Sequence, residues 1–181
     1  MAFLVDKWSI KFNLVMCLLE LVDQIDASPN PENGHQGIQQ ACYFLQRAAA
    51  VADEILLQTK QIQLLNQSFW VNLETMCGDD LNQKVLQATR DSCLARAQRL
   101  QYAVVSKAPE APAPGSEMSY VLSGIASKIH KMYSDIHKNC IADSILKNYA
   151  RDEVKLDNTI FFQIVLYKFL SQYHFAHYLH Q

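Results

Sequence analysis

Apolar side chains recur along this chain at steps of three and four, the repeat of a helix packed on one side, and no stretch of alternating strand-like pattern competes with it. Trp8, Phe12, Val15, Leu19 and Val22 trace a first stripe, widened by Leu14, Leu18, Leu21 and Ile25, with Lys11, Glu20, Asp23 and Gln24 outside it. The spacing predicts a helix over about residues 5–25. Ser28-Pro-Asn-Pro-Glu-Asn-Gly34 stops it, because each proline lacks a donor and disfavours helical geometry in the residue before it. From about Gly37, a second stripe through Ile38, Ala41, Leu45, Ala48, Ala52, Ile55, Thr59, Ile62 and Leu65 runs without glycine or proline. Its alanines let another helix approach closely, and Gln58, Gln61, Gln63 and Gln67 line the later outer face.

A short helical turn is expected over Ser68 to Thr75, carrying Phe69, Trp70, Val71 and Leu73 and ended by Gly78. Asp79 and Asp80 offer a cap for a helix over about 80–106, in which Leu81, Val85, Ala88, Cys93, Leu94, Ala97, Leu100 and Val104 point inward. Lys84, Arg90, Arg96 and Arg99 point outward. After three alternating prolines between Lys107 and Gly115, Ser116 caps a helix striped by Val121, Leu122, Ile125, Ile129, Met132, Tyr133, Ile136 and Cys140. Asn139 is its expected stop. A shorter turn begins at Asp143 or Ser144 and runs to Tyr149, and Asp157 caps a terminal helix over about 158–180.

That last helix is apolar at nearly every angle, from Ile160, Phe161 and Phe162 through Phe169 to Tyr178 and Leu179, with Gln163, Lys168, Ser171 and Gln172 as polar relief. Such a helix is covered on most sides, by its own chain or by another. The expected fold is therefore all-α: a single-domain helical bundle of about five main helices with one or two short extra turns. Residues 1–181 are taken as one domain with a proline-rich connection at 107–116, since the segment beyond it is small for an independent core.

Composition narrows the function classes. Half of the 181 residues are hydrophobic, enough for a well-filled core, and a formal charge of -2 leaves no electrostatic footprint for nucleic acid or an anionic membrane. Lys168 interrupts the longest apolar run, so no span of a membrane is expected. The five cysteines are odd in number and widely spaced, the pattern of reduced, mostly buried thiols in a cytoplasmic protein. Asp6, Lys7 and Lys11 break up any signal-peptide core, and the glycosylation-like Asn66-Gln-Ser68 is taken as coincidence.

Candidate chemistry is sparse. His174, His177 and His180 fan across one face of the last helix, where a pair could share a metal, but no carboxylate or cysteine neighbours them; the simpler reading is a polar helix end. His130, His137 and Cys140 share a helix flank and, with Asp143, outline a Cys–His enzyme or effector site without an evident orienting residue. Asp53 with Glu54 and Asp152 with Glu153 are adjacent, so they diverge on a helix and serve as solvated charges. Arg96 and Arg99 share a face that would grip an acidic group or simply meet water. With no phosphate loop, nucleophile elbow or zinc motif, no cofactor or metal is expected.

What remains is surplus apolar surface. The expectation is a non-enzymatic adaptor or chaperone-like subunit, of a bacterial secretion system or similar multi-protein complex, that binds a helical or extended segment of a partner protein. Trp8, Phe12, Phe69, Trp70, Tyr173 and Tyr178 are the expected contacts, because large aromatics dominate interfaces. The alternatives are the enzyme site around His130, His137 and Cys140, and a homodimer through the long second helix.

Overall fold

The computed structural model describes residues 2–27, 34–77, 82–106, 115–141 and 155–180, and all the regular structure in them is helical. In chain order the elements are α1 (Ala2–Ala27), α2 (Gly34–Leu65), α3 (Gln67–Cys77), α4 (Gln83–Ser106), α5 (Glu117–Ile136) and α6 (Lys155–Leu179). A π-helical turn, His137–Ile141, continues α5 through the expected stop at Asn139. The turn expected from Asp143 to Tyr149 and most of the proline-rich segment lie outside the described residues. Two compact units divide the chain, Met1–Leu94 and Ala95–Gln181, and the division falls within α4 rather than at the prolines.

In the first unit α1 and α2 pack as an antiparallel hairpin. Trp8 Nε1 donates to Gln58 Oε1 at 2.9 Å, Lys11 reaches the Glu54 carboxylate, and Ile25 lies against Gly37, so α2 recedes as α1 advances. Ala41, Ala48, Ala49 and Ala52 are all buried along α2, the small side chains that let the two backbones approach. Trp8, Ile55, Leu56, Trp70, Leu73 and Leu86 form the core cluster, with Phe12 and Phe69 packed half-buried against it. Burial of Val15, Leu18 and Val22 follows the predicted stripe, whereas Leu14 and Leu21, assigned to its margin, are exposed.

Asparagines set the local boundaries. Asn66 Oδ1 accepts the Phe69 N–H at 3.0 Å while its own N–H still reaches the Ile62 carbonyl at 2.9 Å, so one residue ends α2 and caps α3. The glycosylation-like asparagine is thus a capping residue. Asn82 Oδ1 accepts from the Lys84 N–H at 2.9 Å, which starts α4 later than expected; Asp79, Asp80 and Leu81 lie outside the described residues. Arg90 does not point freely outward but bonds Asp53 and Asp91, each at 2.8 Å. Nor are Asp53 and Glu54 simply solvated, since Lys11 holds Glu54 below the usual carboxylate range.

The second unit is built on α5 and α6, also antiparallel, with the later part of α4 against them. Its core gathers Tyr102, Leu122, Ala126, Ile129, Tyr133, Ile136, Ile160 and Tyr167. Ser116 caps α5 as predicted, its hydroxyl accepting the Ser119 N–H at 3.3 Å. Gly115, at a φ of 80° that favours glycine, turns its N–H onto the His177 carbonyl at 3.0 Å and ties the start of α5 to the end of α6. Because α6 begins at Lys155, Asp157 falls within its first turn rather than at its cap.

Truncating the buried Ile129 to alanine leaves a cavity in the core of the second unit, so Ile129→Ala should cost ~2–5 kcal/mol in urea unfolding followed by circular dichroism. The exposed neighbour Lys128→Ala should stay within ~0.5 kcal/mol.

Candidate functional site

The inward face of α6 is set by Ile160, Gln163, Tyr167 and His174, all buried, at steps of three, four and seven. Two of these four are polar. The facing side of α5 is polar as well: Ser119 Oγ meets His177 Nδ1 at 3.1 Å, Ser123 Oγ donates to the Ser171 carbonyl at 2.9 Å, and His130 Nδ1 donates to the Ile164 carbonyl at 3.0 Å. From α4, the Tyr102 hydroxyl reaches His174 Nε2 at 2.7 Å, and its ring stands edge-on to Tyr167. Burial pushes the Tyr167 phenol up to about 12 and draws the His174 imidazole below its ordinary value, with His177 adding to the second effect. Gln163 Oε1 and His174 Nδ1 are buried and meet no hydrogen-bonding partner among the described residues.

While Gln163 and His174 turn in, most of the aromatics of α6 turn out. Phe162, Val165, Phe169 and Tyr173 lie on the opposite face and are each more than half exposed, and Phe161, Phe175 and Leu179 widen the strip. Phe169 and Tyr173 stack at 6.3 Å, and Tyr173 stacks on His177 at 6.0 Å, so the strip is ordered along the helix. Tyr120 on Tyr178, at 5.3 Å, joins it to the exposed Met118 and Val121 of α5. Lys168 is the only Asp, Glu, Lys or Arg between Ile160 and His180. Such a surface carries no charge chemistry; what it offers is apolar area to be withdrawn from water.

The six aromatics expected to contact a partner separate into two groups. Trp8 and Trp70 are buried, Trp8 completely, and with Phe12 and Phe69 converge on the core of the first unit. Their area already serves that core. Tyr173 is exposed and Tyr178 is half-buried, both on α6. The exposure of the α6 phenylalanines differs from the sequence expectation, which has this helix covered on most sides and Gln163 among its polar relief. Gln163 faces inward instead. The available signal was phase: Gln163 and His174 are eleven residues apart, three turns, and so share a face.

Neither chemical constellation assembles. His174 bonds Tyr102, His177 bonds Ser119, and His180 is exposed beyond the helix end, so the fan does not converge. Among the described residues no three metal-ligating side chains come together. His130 is tied to the Ile164 carbonyl, while Asp143 and the side chain of Cys140 lie outside the described residues. The Arg96 and Arg99 guanidinium groups lie near enough to the buried Tyr133 phenol to favour its ionised form against the burial that pushes it up, so this side faces inward as well as outward. Of the cysteines described, Cys93 is buried and Cys42 is half-buried, but Cys17 is exposed on an outer strip with Ile10, Leu14 and Leu21, contrary to the buried thiol expected there. No helix among the described residues is long and apolar enough to cross a membrane. Comparison with protein-family models, curated proteins and solved structures gives no match to the chain.

Tyr102→Phe would leave the buried His174 ring with neither nitrogen hydrogen-bonded among the described residues, so a loss of ~1–3 kcal/mol in chemical unfolding is expected. Equal stability of the variant and the native chain would show that this bond does not hold α6 in place.

Proposed function

We propose that the chain is a non-enzymatic adaptor or chaperone-like subunit that holds a segment of a partner protein against the outward face of α6. The observation that supports this reading is the inversion of the helix: amide and imidazole groups face in without full hydrogen bonding, while Phe162, Phe169 and Tyr173 face out. A helix serving only its own core has the opposite arrangement. Covering one such phenylalanine is worth ~1.5–3 kcal/mol, so a few contacts suffice for specific capture.

The occupant that fits best is an amphipathic helix. Phe162, Val165, Phe169 and Tyr173 form a straight strip at steps of three and four, the geometry in which helix-in-groove recognition seats its anchors. Lys168 beside the strip selects an acidic or polar residue at one position of that helix and so sets its register. Homodimerisation through α2 has weaker support. Its exposed Tyr43, Leu57 and Leu64 are interleaved with the exposed Arg47, Glu54 and Gln61 and form no continuous seam.

The double variant Phe162→Ser/Phe169→Ser alters only exposed positions of α6, so its unfolding midpoint should stay close to native. Affinity for an amphipathic helical peptide selected against the native chain should fall about 100-fold or more by calorimetric titration. Undiminished binding would remove α6 as the site. A concentration-dependent mass of the native chain that the double variant abolishes would make the occupant a second copy.

A further inference from the structure

His174 is the one histidine of α6 that the fold both buries and leaves incompletely bonded. Nε2 meets the Tyr102 hydroxyl at 2.7 Å, and Nδ1 has no partner among the described residues. The groups that face it are Tyr102 from α4, and Tyr173 and His177 on α6; behind them stand Tyr167 and Arg99 around Tyr102, Ser119 of α5 on His177, and Ser123 of α5 on the Ser171 carbonyl. None of these is a carboxylate that would hold an imidazolium. His177 brings a second imidazole one turn away, and it also carries two of the ties that fasten α6 to the start of α5: its ring to Ser119 and its carbonyl to the Gly115 N–H.

We propose that His174 makes the docking of the C-terminal half of α6 a proton-operated latch, closed at neutral pH and released by mild acid. The neutral ring tolerates its pocket in the tautomer whose Nε2–H donates to the Tyr102 hydroxyl, because Nδ1 then carries no proton. A proton gives both nitrogens an N–H, one of them buried without an acceptor, and places the charge beside His177. Release of His174 pulls on the turn that includes His177, so the Ser119 and Gly115 ties loosen with it.

The sign follows from linkage. Burial, reinforced by His177, depresses the pKa of His174 in the folded state, so the unfolded chain binds the proton more readily. The contribution to stability is full above the ordinary histidine value. It declines as pH falls below that value and is lost once pH drops through the folded value. Because Phe169, Tyr173 and Phe175 stand on the same turns of helix, acid would also dismantle the outward strip. That consequence rests on the α6 adaptor reading, whereas the latch itself does not.

Backbone hydrogen exchange, corrected for intrinsic rates, tests the latch on the full chain and on His174→Gln, whose amide can still bond Tyr102 but does not titrate. Between about pH 7.5 and about pH 5, protection over residues 170–179 and 116–123 of the native chain should fall about tenfold or more, and that of the variant should hold. An equal acid loss in both, or none in the native chain, would overturn the proposal. A second measurement applies if His174→Gln does not fold: the His174 ring, followed by NMR in the native chain, should titrate below the histidine of a short unstructured peptide, and a ring that titrates with the peptide would equally overturn it. Neither outcome depends on peptide binding, which the Phe162→Ser/Phe169→Ser variant reads separately.

Discussion

The constraint that shapes the second unit is the pairing of α6 with a polar side of α5. Between Ser119 and His130, α5 offers hydroxyls and an imidazole where a simple bundle would offer leucines, and α6 answers with Ser171, His177 and the Ile164 carbonyl. Each of these hydrogen bonds adds only ~0.5–1.5 kcal/mol. Together, however, they fix the rotation of α6 about its axis. A turn of the helix toward a better hydrophobic match would bury its phenylalanines but strand those donors and acceptors without partners, so aromatic exposure on the far side is the consequence of polar registration on the near side.

The first unit solves its packing differently. Alanines on α2 and tryptophans from α1 and α3 give a dense apolar interior, and the ionic contacts lie at its margin, where Arg90 spans Asp53 and Asp91 and Lys11 reaches Glu54. Marginal pairs of this kind contribute little each, because water and salt screen them. Their use is positional: Arg90 aligns α4 on α2 at one register. Interior polarity therefore marks the second unit, and that is where the candidate site and its titrating group are found.

How much of this was legible in the sequence depends on the element. The stripe through Trp8, Val15 and Val22 gave α1, and the alanine-lined stripe gave α2, because both helices are amphipathic and packing decides their buried side. Ser116 was legible as a cap because its hydroxyl acts locally. Asn66 and Asn82 were not, since aspartates and a glycine nearby are equally good punctuation and only the geometry selects among them. The terminal helix was legible as a helix but not in its rotation. A segment apolar around its whole circumference has no dominant face, so the choice was made by hydrogen bonds to α5, and those involve residues some 34 to 58 positions apart in the chain. Aromatic size alone does not tell interior from surface: Trp8 and Trp70 fill a core while the less distinctive Phe162 and Phe169 meet water.

Both tryptophans of the chain lie in the interior of the first unit, Trp8 with its indole N–H on Gln58, and the second unit holds seven of the eight tyrosines and no tryptophan. The chain is therefore optically partitioned. Indole emission reports on the α1–α2–α3 interior, whereas the buried tyrosines at 102, 133 and 167 absorb from within the second unit. Tryptophan belongs to the first unit alone and tyrosine, Tyr43 apart, to the second, without any label having to be introduced.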